Sequence, residues 1–169
     1  GNWSQLGSDI DGQAVSDESG FCVSLSANGN IVAIGAPYND SNSFNSGHVR
    51  VYNYSSGSWS QLGSDIGGEL SGDRSGYSLE LSDDGTKLAI GAPFNDGNGS
   101  NSGHVRVYEY ANGNWSQLGI DIDGEDDGDR SGYSLSLSDD GKTVAIGSTW
   151  NDGNGTRSGH VRVYRTDLT

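Results

Sequence analysis

The feature that most constrains this chain is a period of 56 residues. Trp3, Trp59 and Trp115 each open the pentapeptide WSQLG, and His48, His104 and His160 each open HVRV at the same spacing. The stretch from Ser75 to Tyr108, SGYSLELSDDGTKLAIGAPFNDGNGSNSGHVRVY, recurs from Ser19 to Tyr52 and from Ser131 to Tyr164. A chain that repeats itself at a fixed interval folds as supersecondary units that bury their faces on one another. The partition is one repeat domain, residues 1–169, with repeats 1–56, 57–112 and 113–169.

Each copy reads as strands. The alternation in YSLELS from Tyr77, and in FCVSLS and YSLSLS at the matching positions, puts Leu79 and Leu81 or their equivalents on one face. An Asn-Gly or Asp-Gly pair follows, the signal of a tight hairpin. The returning strand, KLAIG from Lys87, is almost continuously apolar through Leu88 and Ile90, as a strand buried on both faces should be. HVRVY supplies a third strand carrying Val105 and Val107. WSQLG is expected as a fourth, outer strand packed through Trp3, Trp59 and Trp115, and its Trp-to-Leu spacing of three implies a twisted or bulged edge strand. The acidic, Gly-rich segments that begin at Asp9, Asp65 and Asp121 read as loops.

Three four-stranded antiparallel repeats specify an all-β fold, and units of this length fit the blades of a β-propeller better than the coils of a solenoid. The chain opens on WSQLG and stops shortly after HVRVY, so the blades are offset from the repeats and the N-terminal strand is placed to close the last blade. Propellers begin at about four blades. Three therefore imply a larger ring completed by association, two chains giving six blades, or a piece of a longer array. Bare strand edges and apolar faces would otherwise meet water.

With 31% apolar residues, four Trp and eight Tyr the chain can build a core, and its 28 Gly suit many tight turns. A net charge of −14, from 23 acidic against nine basic residues, excludes a phosphate backbone as partner, so no nucleic acid is expected. No apolar run is long enough to insert into a membrane as a helix. The absence of Met points to a processed chain or a fragment. Cys22 stands where the other copies have Ser78 and Ser134, so it forms no internal disulfide and is expected as a small buried side chain.

The succession SGYSL, AIGAP and GHVRVY resembles the FG-GAP repeat of integrin α-subunit propellers and related bacterial and algal surface proteins. The GAP element is intact at Gly35, Ala36, Pro37 and at Gly91, Ala92, Pro93, and is replaced at Gly147, Ser148, Thr149. The Phe of the FG pair is replaced by Ser19, Ser75 and Ser131, while Gly20, Gly76 and Gly132 remain. The resemblance implies an extracellular or cell-surface location and a role in adhesion or surface architecture. The calcium loop that the family often carries between its first two strands is absent, since a tight hairpin stands there.

Two other acidic loops could hold calcium as a cofactor: NDGNG around Asp96 and Asp152, and the segment with Asp121, Asp123 and Asp129. The alternative is that these side chains close turns. One His per copy reads as repeated packing rather than a shared metal site. Asp17, Asp73 and Asp129 are placed to pair with Arg74 and Arg130. No nucleophile elbow, phosphate loop or HExxH is present, so no catalytic residue is assigned and the chain is expected not to be an enzyme. Tyr38, Phe94 and Trp150 precede Asn-Asp in each copy and could stack on a glycan. Of six Asn-x-Ser/Thr sequons, Asn98 and Asn154 lie in loops suited to glycosylation. The leading reading is a non-catalytic extracellular propeller module for self-assembly, adhesion or surface architecture, whose partner is itself, a neighbouring repeat, a surface protein or a glycan. The alternatives are a lectin-like propeller and an engineered repeat protein without a ligand.

Overall fold

A computed structural model describes residues 1–166, which contain thirteen strands and no helix. The first sheet runs β1 (Cys22–Leu25), β2 (Ile31–Ala36), β3 (His48–Ser55) and β4 (Ser58–Gln61), all antiparallel, with β5 (Ile66–Gly67) also on β3. The second repeats it with β6 (Ser78–Leu81), β7 (Lys87–Ala92), β8 (His104–Ala111), β9 (Asn114–Gln117) and β10 (Ile122–Asp123). The third has β11 (Ser131–Leu137), β12 (Thr143–Ser148) and β13 (His160–Arg165). On the edge away from β2 and β7, β3 and β8 each serve two partners: β4 and β9 pair with their C-terminal halves, β5 and β10 with their N-terminal ends. These sheets are three blades of a propeller that do not close into a ring.

The hairpins follow from local chemistry. Gly85 takes φ 71° while the preceding Asp84 stays out of the left-handed region. The Asp84 carboxylate instead accepts bonds from the Ser82 hydroxyl and the Thr86 amide, and the Ser82 amide bonds to the Lys87 carbonyl. The turn is thus wider than the two-residue hairpin expected from Asp-Gly, because the side chain caps it.

Successive blades stack by one rule. The face of blade 1 that carries Ala33, Val49 and Val51 packs on Leu79, Leu81, Leu88 and Ile90 of blade 2. Blade 2 then presents Ala89 and Val105 to Leu137, Val144 and Ile146 of blade 3. Single parallel bridges, Gly47 to Ser75 and Gly103 to Ser131, tie neighbouring blades. Both glycines have positive φ, and a Cβ on either would lie under 2.5 Å from a serine carbonyl oxygen of the next blade. Only glycine fits there.

Four expectations are corrected. Trp3 does not pack an outer strand: residues 1–6 form no strand, and Trp3 is fully exposed because no sheet edge lies beside it. Of the twist or bulge expected in the WSQ strands, the bulge is not found: β4 and β9 hold unbroken register, and the Leu62 and Leu118 amides continue it to the Val51 and Val107 carbonyls. The acidic segments are not wholly loops, since Ile66, Gly67, Ile122 and Asp123 pair as short strands with the ends of β3 and β8 that β4 and β9 leave open. Among the described residues β13 ends its sheet, so the N-terminal segment does not close the last blade of its own chain.

Candidate functional site

On one side of the blades, aromatic rings and guanidinium groups alternate. Arg74 lies 4.9 Å from the ring centre of Tyr38 and 4.3 Å from that of Phe94. Arg130 lies 4.9 Å from Phe94 and 3.4 Å from Trp150, and Arg157 lies 3.9 Å from Trp150. A second ladder, Phe21, Tyr77 and Tyr133, runs beside it at 4.8 and 4.9 Å. Burial, reinforced by the hydroxyl bond to Tyr133, pushes the Tyr77 phenol up to about 12. The glycan platforms expected at Tyr38, Phe94 and Trp150 are thus brought into one row, but guanidinium groups stack on them. Arg74 and Arg130 thereby each bridge the rings of two neighbouring blades.

The same pairings correct the expected Asp–Arg ion pairs. Asp73 accepts from Asn95 and the Leu70 amide, and Asp17 and Asp129 bond equivalently to Asn39 and Asn151. Arg74 and Arg130 turn to the rings, where their long stems also find apolar cover.

The HVR motif builds a second cluster in each copy. Arg106 forms a two-pronged bond to Asp121 at 3.0 and 2.8 Å and a further ion pair with Glu69. Burial opposes the charge on Arg106, and the bonds to Asp121 outweigh it and raise the pKa. The same Arg106 bond lowers the Asp121 carboxyl. His48 lies 3.8 Å from Asp65, His104 3.7 Å from Asp121, and His160 3.7 Å from Glu125. Burial lowers the pKa of His48 and His104. Each histidine thus has its own carboxylate, which the sequence did not reveal because the partners lie 17 residues on or 35 residues back.

The five calcium candidates do not converge. Asp96 and Asp152 accept from the Asn101 and Arg157 amides and close their own loops. Asp121 holds Arg106, Asp129 holds Asn151, and Asp123 is exposed on β10. Two groups bring His and carboxylates within ligand distance, Glu69 with His104 and Asp121, and Glu125 with Asp129 and His160. In the first, Arg106 already bridges both acids. At the expected glycosylation sites, the Asn98 amide donates to the Gly124 carbonyl at 2.8 Å, so a glycan there would displace a bond between the β7–β8 loop and the end of β10, whereas Asn154 is exposed.

The largest departure from self-sufficiency lies at the two ends. Val161 and Val163, the counterparts of Val49 and Val51, are 67% and 65% exposed, against 0% and 1% for the interior pair. Val23 and Leu25, the counterparts of buried Leu79 and Leu81, are 60% and 59% exposed. Cys22 is half-buried, with its thiol 3.9 Å from the Leu79 carbonyl, rather than enclosed.

Residues 68–108 match the FG-GAP repeat. No curated protein matches the sequence. Among solved structures, the chain is similar to a Bacteroides uniformis protein assigned as a 6-phosphogluconolactonase, with 15% identity and TM-score 0.57, over 86% of this chain and 36% of that one. It is also similar to hydrazine synthase of Kuenenia stuttgartiensis, with 14% identity and TM-score 0.54, over 94% of this chain and 36% of that one. The periplasmic gluconolactonase of Pseudomonas aeruginosa gives 16% identity and TM-score 0.52, over 85% and 38%. The chain therefore spans little more than a third of each neighbour. These likenesses show the fold alone. They nevertheless correct one expectation: gluconolactonases occur on this architecture, so the lack of a familiar catalytic motif is no ground for excluding an enzyme.

Proposed function

We propose that all three 56-residue copies are FG-GAP repeats, and that the chain is a propeller segment of an extracellular or cell-surface protein that works in adhesion or surface architecture by associating with further blades. The observation that carries this reading is the pair of open faces. Val23 and Leu25 at one end, and Val161 and Val163 at the other, hold the positions that the interior blades bury on each other. Support for the family comes from the repeat match over 68–108 and from the identical strand order of the first two blades. An acidic surface, with net charge −14, keeps such a segment soluble until its apolar ends are covered.

Light scattering over a range of protein concentrations tests the reading. A mass above that of one chain, falling on dilution, is expected. A monodisperse single chain at every concentration overturns it.

A further inference from the structure

The two interblade interfaces differ by one tryptophan. Between blades 1 and 2, Trp115 of β9 is 7% exposed; its indole N–H donates to the Leu62 carbonyl at 2.9 Å, and its ring lies over Gly63 and beside Tyr110. Trp59 of β4 makes the same bond to the Leu6 carbonyl and lies over Gly7. The third position in this series, over Leu118 and Gly119, is open: nothing lies within 4 Å of where a Cβ on Gly119 would be. A groove of about 290 Å³ occupies the spot, lined among others by Val107, Leu118, Gly119, Ile122 and Tyr164. Leu118, Gly119, Ile122 and Tyr164 are the 56-residue counterparts of Leu62, Gly63, Ile66 and Tyr108 around Trp115.

The chain also has a tryptophan without a socket, Trp3, fully exposed on a segment whose Leu6 already sits against blade 1 as Leu62 sits against blade 2. We infer that a second copy of this chain completes blade 3: its residues 3–5 add antiparallel to β13, and its Trp3 enters the groove beside Gly119. The inference rests on the self-association proposed above and names its geometry. The register comes from the two complete blades. Tyr52 pairs with Gln61 and Tyr54 with Trp59, so Tyr164 faces Gln5 of the second copy, Arg165 faces Ser4 and Thr166 faces Trp3. The same placement seats Val161 and Val163 against Val23 and Leu25 of that copy, reproducing both interior interfaces.

Charge favours this junction. At the interior ones the Arg74 amide donates to the Asn45 carbonyl and the Arg130 amide to the Asn101 carbonyl. The residues that would meet between copies are Glu18 and Arg157, which keep the same left-handed backbone, φ 53° and 52°, but exchange Arg–Asn for Glu–Arg. At this pair of positions, opposite charges stand only where two chains would join. The contact is head-to-tail, and two copies of three blades close it into a six-bladed ring with two-fold symmetry.

The test uses the 169-residue chain with Cys22→Ser, adding Ser4→Cys and Arg165→Cys, which face each other across the inferred strand pair. Mild oxidation is expected to give a covalent dimer, and each single cysteine variant to give much less. In parallel, Trp3→Ser, at a fully exposed site that leaves the monomer fold intact, is expected to raise the dimer dissociation constant by roughly thirtyfold or more, the scale of a buried Trp anchor. A wild-type dimer whose affinity ignores Trp3→Ser, with no disulfide cross-link between positions 4 and 165 of the double-cysteine variant, overturns this geometry and leaves self-association standing. A mass above two chains overturns closure by two copies. A wild-type monomer overturns both.

Discussion

The first and second interblade interfaces are built from the same sequence, yet only one is finished. Between blades 1 and 2 the apolar core runs from Ala33 and Val49 out to Ile66 and Trp115, so the stack is sealed at its outer rim. Between blades 2 and 3 the core holds Ala89, Val105, Leu137, Val144 and Ile146, and an open groove takes the place of the tryptophan. The difference lies in strand count, since blade 2 has β9 whereas β13 is the last strand of blade 3 among the described residues. A repeat fold seals each interface with a residue of the following copy, so its last interface stays dependent on whatever comes next.

The comparison breaks most sharply at Trp115. Trp115→Ala should cost about 3–5 kcal/mol of stability in chemical denaturation, the usual range for losing a buried Trp, while Trp3→Ala should leave monomer stability unchanged. Equal losses at both positions would contradict the unequal interfaces. Next in size, Arg106→Gln should cost about 2 kcal/mol, because it leaves Asp121 and Glu69 without their charge-assisted partner. The counterpart Arg50→Gln should cost about 1 kcal/mol, since Arg50 donates to the Asp11 carbonyl rather than to a carboxylate.

A smaller effect concerns pH. Burial holds His48 and His104 below the ordinary value of 6.5, so the folded chain takes up these protons less readily than the unfolded chain. Their contribution is complete above about pH 6.5 and declines as pH falls below it. Thermal melts from pH 7.5 to 5.5 should show falling stability, and His104→Gln should flatten the slope. The smallest effect belongs to the junction charges: Glu18→Arg or Arg157→Glu alone should weaken dimerisation by up to about fivefold, as for an exposed ion pair, and the double exchange should restore it. Sedimentation equilibrium reads both.

Much of this is legible in the sequence because it depends on local pattern. Leu79, Leu81, Leu88 and Ile90 alternate or cluster as buried strands must, and they are the core of the first interface. The 56-residue period likewise gives the equivalence of Val49, Val105 and Val161. What escapes the sequence depends on which side of a blade is covered. Val161 and Val49 lie in the same motif, and only the stacking order shows that one is buried and the other bare. Asp123 reads as a loop residue because a two-residue strand has no period to detect. Arg74 and Arg130 depart from expectation for a related reason: neighbouring acids in the sequence point to ion pairs, but Asp73 and Asp129 turn inward to Asn95 and Asn151, leaving the guanidinium groups to the rings.

Hydrogen exchange of the β13 amides as a function of protein concentration tests the central claim most directly. If a second chain supplies the missing strand, the amides of Val163 to Arg165 that point away from β12 become protected as concentration rises and exchange freely on dilution, while β3 and β8 stay protected throughout. If those β13 amides exchange at the same fast rate from the most dilute to the most concentrated sample, no strand is added and the account of the open end fails.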